Sequence, residues 1–191
     1  MLRPDAGEVS LPRQQKSRFL VRILVLQDHK ENRRKCSLTP LEGREGVTFV
    51  RLQSPALAPG KIEVGSGILL SIDSPQLSRA DHGFVAGEGA LVLLDSTWAR
   101  LPKLANRLQL AQGARLERRS LPHGIVTAYP RVSKVHVDPL GGLASIEALY
   151  AATVILGEPR RELLDGYRWA EEFLRRNADL LLVTSPASRL C

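Results

Sequence analysis

Gly89-Ala90-Leu91-Val92-Leu93-Leu94-Asp95-Ser96-Thr97-Trp98 lies near the middle of the chain. Five apolar residues, Ala90 to Leu94, run unbroken between a glycine and an aspartate. A strand with one wet face would alternate apolar and polar residues. A short unbroken run is what a strand shows when both faces are covered, as in a parallel sheet packed under helices. The stretch then ends in an acid, two hydroxyls and one of two tryptophans. In open α/β sheets ligands bind beyond the carboxyl ends of strands, which places Asp95 where the floor of a site would be. The plainer reading is that Ser96 or Thr97 caps a helix and Trp98 fills the core. On this stretch alone the plainer reading is the more economical.

Working outward, Phe19 to Leu26, Val47 to Leu52 and Ile68 to Ile72 read as further strands, with a polar loop after the first and the turn-rich QSPALAPGKIEVGSG before the third. After Asp95 a helix is expected to start near Thr97 or Trp98. Leu101, Leu104, Ala105, Leu108 and Ala111 recur at helical spacing, Gly113 stops the run, and Pro102 is tolerable only in the first turn. Leu121 to Ala128 is another strand candidate, and a loop rich in Pro and Gly leads to Gly142. Ser145 caps a helix whose residues Ile146 to Leu156 are apolar nearly all round, so it is buried on most sides. A last helix is expected from about Pro159 to Asn177, with Leu163, Tyr167, Ala170 and Leu174 on its inner stripe. Strands alternating with helices give an α/β fold.

Composition limits the function classes. The chain has 191 residues, 43% hydrophobic and 25% charged, enough for one compact core or two small lobes. No apolar run approaches a membrane span, and the polar N-terminal stretch carries no apolar signal core. Two cysteines, Cys36 and Cys191, make no disulfide framework, which suits a reducing cytoplasm, and with four scattered histidines no metal site is expected. Lysine and arginine total 27 against 20 acids, a net charge of +7. RNA or DNA is the first candidate partner for such an excess, a solvated basic surface the alternative. Arg33, Arg34 and Lys35 form one basic cluster, Arg118 and Arg119 with Arg115 a second, and Arg100, Lys103 and Arg107 a stripe on the helix face opposite the apolar one. Together they favour RNA. The first cluster also gives Cys36 the cationic setting that a reactive thiolate needs, but no His–Cys pairing can be argued from spacing, and most such charge runs are solvated loops. No phosphate-cradling glycine motif of either standard spacing is present.

Five segments in register resemble the family of aminocarboxypropyltransferases that modify a uridine-derived base in small-subunit ribosomal RNA. His29-Lys30-Glu31-Asn32-Arg33-Arg34-Lys35-Cys36-Ser37-Leu38 is similar to the family's H-K-D-D-P-K-K-C-T-G loop. Asp95-Ser96-Thr97-Trp98 is similar to its D-T-S-W signature with the hydroxyl residues exchanged, and Arg119-Ser120-Leu121-Pro122 to its R-x-L-P motif. Leu143-Ala144-Ser145-Ile146-Glu147-Ala148-Leu149 is similar to its helix start L-S-S-L-E-A-L, and Trp169-Ala170-Glu171-Glu172-Phe173 to its W-G-x-x-F. The order and spacing agree from about residue 20 to 177. The chain departs from the family at Leu38, where the family has glycine, and at the longer loop from Ala128-Tyr129-Pro130 to Gly142, where it has A-N-P-x-N-Y-G. A sister family, the tRNA transferases with a D-T-W signature, is the neighbouring possibility.

The resemblance implies a small N-terminal α/β lobe over residues 18–88 and a SPOUT-like domain with a C-terminal trefoil knot over 89–180, between a tail at 1–17 and another at 181–191. It implies S-adenosylmethionine as cofactor and donor, and small-subunit rRNA or a pre-ribosomal particle as partner. It also implies transfer of the 3-amino-3-carboxypropyl group to N3 of a pseudouridine-type nucleotide by a cytoplasmic monomer. Carried over by motif, Ser37 contacts the ribose, and Leu121, Leu143, Ala148 and Ala151 line the adenine pocket. Ser145 meets the methionine portion through its backbone, Trp98 and Leu101 pack on the methyl group, and Ile72 completes the cofactor set. Asp95, the carboxylate at the strand end, is placed to accept the N3 proton, for which burial would have to raise its pKa. The alternatives are a methyltransferase of the same fold, a tRNA aminocarboxypropyltransferase, and a non-catalytic RNA-binding assembly factor.

Overall fold

The structure, a computed structural model, describes residues 21–33, 36–56, 60–130 and 142–182. The apolar run becomes β5 (Ala90–Asp95), the middle strand of a five-stranded sheet. It is flanked by β1 (Ile23–Gln27) and β4 (Gly67–Leu70), with β2 (Val47–Arg51) and β7 (Leu116–Arg119) at the edges. The order is β2-β1-β5-β4-β7 and every pairing is parallel. β3 (Ile62–Val64) and β6 (Leu108–Leu110) form a separate parallel pair.

Side chains alternate between the two faces along each strand, and the burial follows that alternation. Ile23, Val25, Ile68, Leu91 and Leu93 join one core with Ile146, Leu149 and Ile155 of α3 (Ser145–Leu156). Leu24, Leu26, Leu69 and Val92 join a second with Ile62, Val64 and Leu104, the last from α2 (Leu101–Ala105). Both faces are therefore covered, and the unbroken run at Ala90–Leu94 follows from that. The remaining helices are α1 (His82–Val85), α4 (Ala170–Arg176) and α5 (Ala178–Leu182). Among the described residues no helix is long and apolar enough to cross a membrane.

Four expectations are corrected. The SPOUT-like domain with a trefoil knot is not what the structure shows: no knot is shown among the described residues. Instead, strands from before and after residue 89 interleave in one parallel sheet, with β5 hydrogen-bonded between β1 and β4. Apolar patterning says which segments are strands, not how the chain threads between them. The helix expected from Thr97 to Ala111 is a 3₁₀ turn at Trp98–Arg100 followed by the short α2, with Pro102 in its first turn. Leu108–Leu110 turns extended because β3, in the segment read as turns, supplies a strand to pair with. Leu121–Ala128 is irregular, and the strand lies just before it as β7, paired to β4. The long last helix is broken into a 3₁₀ turn at Arg161–Leu164, α4 and α5, with Gly166 at φ +78° between the first two. A left-handed backbone there ends any continuous helix.

Candidate active site

The segment after β1 leads to β2 on one side, and the segment after β5 leads through α2 toward β7 on the other. The crevice between the carboxyl ends of β1 and β5 is thus the point where the chain's winding reverses, the place where open parallel sheets bind ligands. Gln27 and Asp95, the last residues of these two strands, are register partners. Both share the strand parity of the α3-facing residues. Asp95 is 5% exposed.

Its carboxylate gathers three donors from three segments. Gln27 Nε2 donates to Oδ2 at 3.0 Å, the Cys36 thiol donates to the same oxygen at 3.2 Å, and Ser145 Oγ donates to Oδ1 at 2.9 Å. Ser145 is the first residue of α3, so the strand end and the helix start are tied directly. The turn carrying Cys36 and Ser37 is seated by the buried Leu38 and Leu41, and Ile146 N donates to Ser37 Oγ at 3.4 Å. Burial first, and the Asp95 charge second, push the Cys36 thiol up to about 12. A thiol held protonated in this way is not a reactive thiolate, which agrees with leaving Cys36 out of the catalytic residues. Its side chain faces the Asp95 carboxylate.

The next residue, Asp28, points to the opposite, α2 face. Its N–H donates to the Asp95 carbonyl at 2.9 Å, while its side chain accepts from Lys30 N at 2.9 Å, Arg100 at 2.5 Å and Ser96 Oγ at 3.2 Å. Burial works to raise the Asp28 pKa, but the Lys30 N–H and the Arg100 guanidinium outweigh it and hold the carboxyl below the usual range.

A second buried carboxylate braces α3. Glu147 is 0% exposed and accepts from Ala144 N at 3.0 Å, Ala128 N at 2.9 Å, Thr127 Oγ1 at 2.6 Å and Tyr167 OH at 2.9 Å. It fixes the irregular 127–129 segment against the helix start. Tyr167 packs with Tyr129 and Trp169 in an aromatic trio, ring centroids 4.9–6.5 Å apart.

Of the residues singled out in the sequence, Ser37, Asp95 and Ser145 come together in this network. Leu121 and Leu143 are half-buried against the α3-side core, and Ala148 is half-buried. Ala151, a turn further along, has no exposed surface, and Ile72 lies 49% exposed beyond the end of β4. Trp98 and Leu101 are half-buried and belong to neither hydrophobic core. The basic residues separate into different settings. Arg33 pairs with Glu42, and Arg34 and Lys35 lie outside the described residues. Arg119 is held by Asp81 at 2.9 Å and Glu117 at 3.5 Å, while Arg118 is exposed on β7. Arg100, Lys103 and Arg107 share the α2 face. Gln27, Asp28 and the bracing role of Glu147 were missed. The first two carried the same signal as Asp95, polar residues closing an apolar strand.

Comparison with known proteins adds to this geometry. The chain is similar to the 16S rRNA aminocarboxypropyltransferase of Methanobrevibacter smithii, with 25% identity over 169 residues, covering 87% of this chain and 90% of that protein. It is similar in fold to the solved structure of the SAM-dependent rRNA:acp-transferase Tsr3 from Vulcanisaeta distributa, with TM-score 0.62 and 23% identity over 86% of this chain and 82% of that one. Residues 68–187 match the family described as "Ribosome biogenesis protein, C-terminal", and because that stretch is more than half of the sequence, the chain belongs to this family.

Proposed function

We propose that the chain transfers the 3-amino-3-carboxypropyl group of S-adenosylmethionine to N3 of a pseudouridine-type base in small-subunit rRNA, as a step of ribosome biogenesis. The observation that carries this reading is the buried Asp95 carboxylate at the strand crevice, bonded to the first residue of α3. The similarity to a 16S rRNA aminocarboxypropyltransferase along most of both chains supports it.

The residues present fit that cofactor. Half-buried Leu143 and Ala148 give apolar surface at the start of α3, and half-buried Leu121 packs on the same core, a set suited to an adenine ring. The first turn of a twelve-residue helix suits a carboxylate, and Ser37 stands against it as a partner for ribose. Ile72 and Ala151 belong to the same reading as outer and supporting members. An indole outside both cores is free to cover a cation, worth about 2 kcal/mol when desolvated. When bound, S-adenosylmethionine supplies a sulfonium with three activated carbons, and the carbon nearest the acceptor is the one transferred. Trp98 and Leu101 shield the methyl and leave the propyl arm facing the acceptor, which is a matter of orientation.

Asp95 takes the N3 proton. Of its three donors the thiol of Cys36 is the weakest, so the acceptor N–H displaces that one while Gln27 and Ser145 hold the carboxylate in place. Arg33, Arg34, Lys35, Arg100, Lys103, Arg107, Arg118 and Arg119 supply the RNA-facing charge. We take the protein to act as a cytoplasmic monomer. Its two cysteines make no disulfide framework, and the large exposed apolar residues among those described are few: Ile72, Leu110, Val126 and Leu180.

The test is to incubate the chain with labelled donor and small-subunit RNA and to identify the nucleoside by-product. Methylthioadenosine is expected. S-adenosylhomocysteine would make the protein a methyltransferase, and no affinity for S-adenosylmethionine would leave a non-catalytic RNA-binding factor. Asp95→Asn should keep cofactor affinity and lose about 10²-fold or more in rate. Full activity in that variant would reduce Asp95 to a residue that holds the turn.

A further inference from the structure

On the α2 face of the sheet edge, back to back with the Asp95 network, lies a cavity of about 100 Å³ bounded by Asp28, His29, Leu52, Arg100, Lys103 and Arg107. Three obligate cations and one carboxylate meet there. Asp28 is already engaged, with Arg100 at 2.5 Å and His29 Nδ1 at 3.0 Å, and the lining carries more cationic than acidic side chains. Arg107 is braced on the carbonyls of Gln53 and Gly60, both at 3.4 Å. Arg100 is held in one orientation by a buried acid, and its planar fork has further N–H groups to offer. Such pre-set cations lose little freedom on meeting an anion.

We propose that this cavity seats a backbone phosphate of the acceptor RNA, at a nucleotide neighbouring the one presented to Asp95. The inference rests on the transferase reading above and adds the register in which the strand lies. Its geometric support is the short link between the two places. Asp28 follows Gln27 in the chain, its N–H donates to the Asp95 carbonyl at 2.9 Å, and Ser96, next to Asp95, donates to its side chain at 3.2 Å. A phosphate held by Arg100 and Lys103 is thereby positioned, through Asp28, against the strand end that faces the base. The donor's own carboxylate is the other anion to consider. The α3 start that suits it lies on the opposite face of the sheet from this cavity.

The probe is a fluorescein-labelled oligouridylate, titrated with the full chain at a series of KCl concentrations, with S-adenosylmethionine binding measured separately by calorimetry. Lys103→Glu should lower oligouridylate affinity about tenfold and make the slope of log K against log salt shallower by about 0.7 for each lost phosphate contact. Arg100→Gln should act in the same direction, and S-adenosylmethionine affinity should not change in either variant. Arg115→Glu makes the same charge change at the opposite edge of the sheet, where Gly67 N donates to the Arg115 carbonyl. It should move the slope much less. Parent-like RNA binding in Lys103→Glu, or an equal loss in Arg115→Glu, would overturn the site. So would a loss of S-adenosylmethionine affinity with RNA affinity retained, which would assign the cavity to the donor. The by-product assay reports on the reaction independently, since a change of by-product does not alter the oligouridylate slope.

Discussion

Cys36 sits in the most basic loop of the sequence, yet its thiol points at Asp95 Oδ2, 3.2 Å away. A thiol raised from 9.0 to about 12 is ionised roughly a thousandfold less at neutral pH. Iodoacetamide should therefore label Cys36 about a thousandfold more slowly than an ordinary cysteine, as read by peptide mass spectrometry. Cys36→Ala should keep transfer activity, because the thiol is only a displaceable donor. Labelling at the ordinary rate, or an inactive folded alanine variant, would make it a nucleophile after all. Sequence proximity does not show this contact, because Asp95 comes from another element, the end of β5. Trp98 poses the complementary case: its half-buried ring joins neither core. Trp98→Ala should consequently cost much less than the 3–5 kcal/mol of a core tryptophan while weakening S-adenosylmethionine binding. A folded variant that binds the cofactor like the parent would remove its assigned role.

β5 and α3 were legible as elements because their burial is written in composition: an unbroken apolar run for a strand covered on both sides, and an all-round apolar helix for one enclosed by its neighbours. β3 and β6 were not legible. Each is three residues long, and each is extended only because the other is there to accept its backbone bonds. The same holds for the site. Asp95 could be placed at a strand end from the pattern alone, but its partners Gln27, Cys36 and Ser145 depend on register and on the turn that brings Cys36 back. Two element-scale predictions follow from what joins these pieces. A Cβ on Gly67 would lie 2.0 Å from the Ala90 carbonyl oxygen, at φ +154°. Gly67→Ala should accordingly pry β4 from β5 and cost about 3 kcal/mol or more, seen as a lower urea midpoint. Glu147→Gln leaves one acceptor oxygen for the four donors its carboxylate now receives. A loss of about 3 kcal/mol is expected, together with weaker S-adenosylmethionine binding as the 127–129 segment and the α3 start loosen. Calorimetry with the native fraction fixed separates the two effects, and unchanged affinity would confine Glu147 to stability.

For the molecule as a whole, composition indicated the net charge but not its arrangement, and the pairings decide which charges face outward and which hold the fold. Asp28 and Asp81 are both buried, which alone would raise their pKa values. Backbone N–H groups, with Arg100 beside Asp28 and Arg119 beside Asp81, hold both below the ordinary 3.8. A depressed folded pKa means that the unfolded chain binds the proton more readily, so this stabilisation is complete above the unfolded value and is lost as pH falls through the folded ones. Cys36, Tyr150 and Tyr167 shift the other way. Burial comes first in each, joined by the Asp95 charge at Cys36 and the Glu147 charge at Tyr167. A raised folded pKa means that the native state holds its proton longer, so their contribution is complete below the unfolded values of 9.0 and 10.0 and is lost as pH rises through the folded ones. The urea midpoint should therefore be level between about pH 4 and pH 9 and fall on both sides. Asp81→Asn should lower the plateau, since Arg119 loses its partner, and flatten the acid limb, since one of the two buried carboxyls held below their ordinary range is gone, the third depressed carboxyl, Glu172, being on the surface beside Arg175 and Arg176. An acid limb of undiminished steepness in that variant would show that Asp81 is not one of the groups that set it, and an unchanged plateau would show that its bond to Arg119 contributes nothing to the fold.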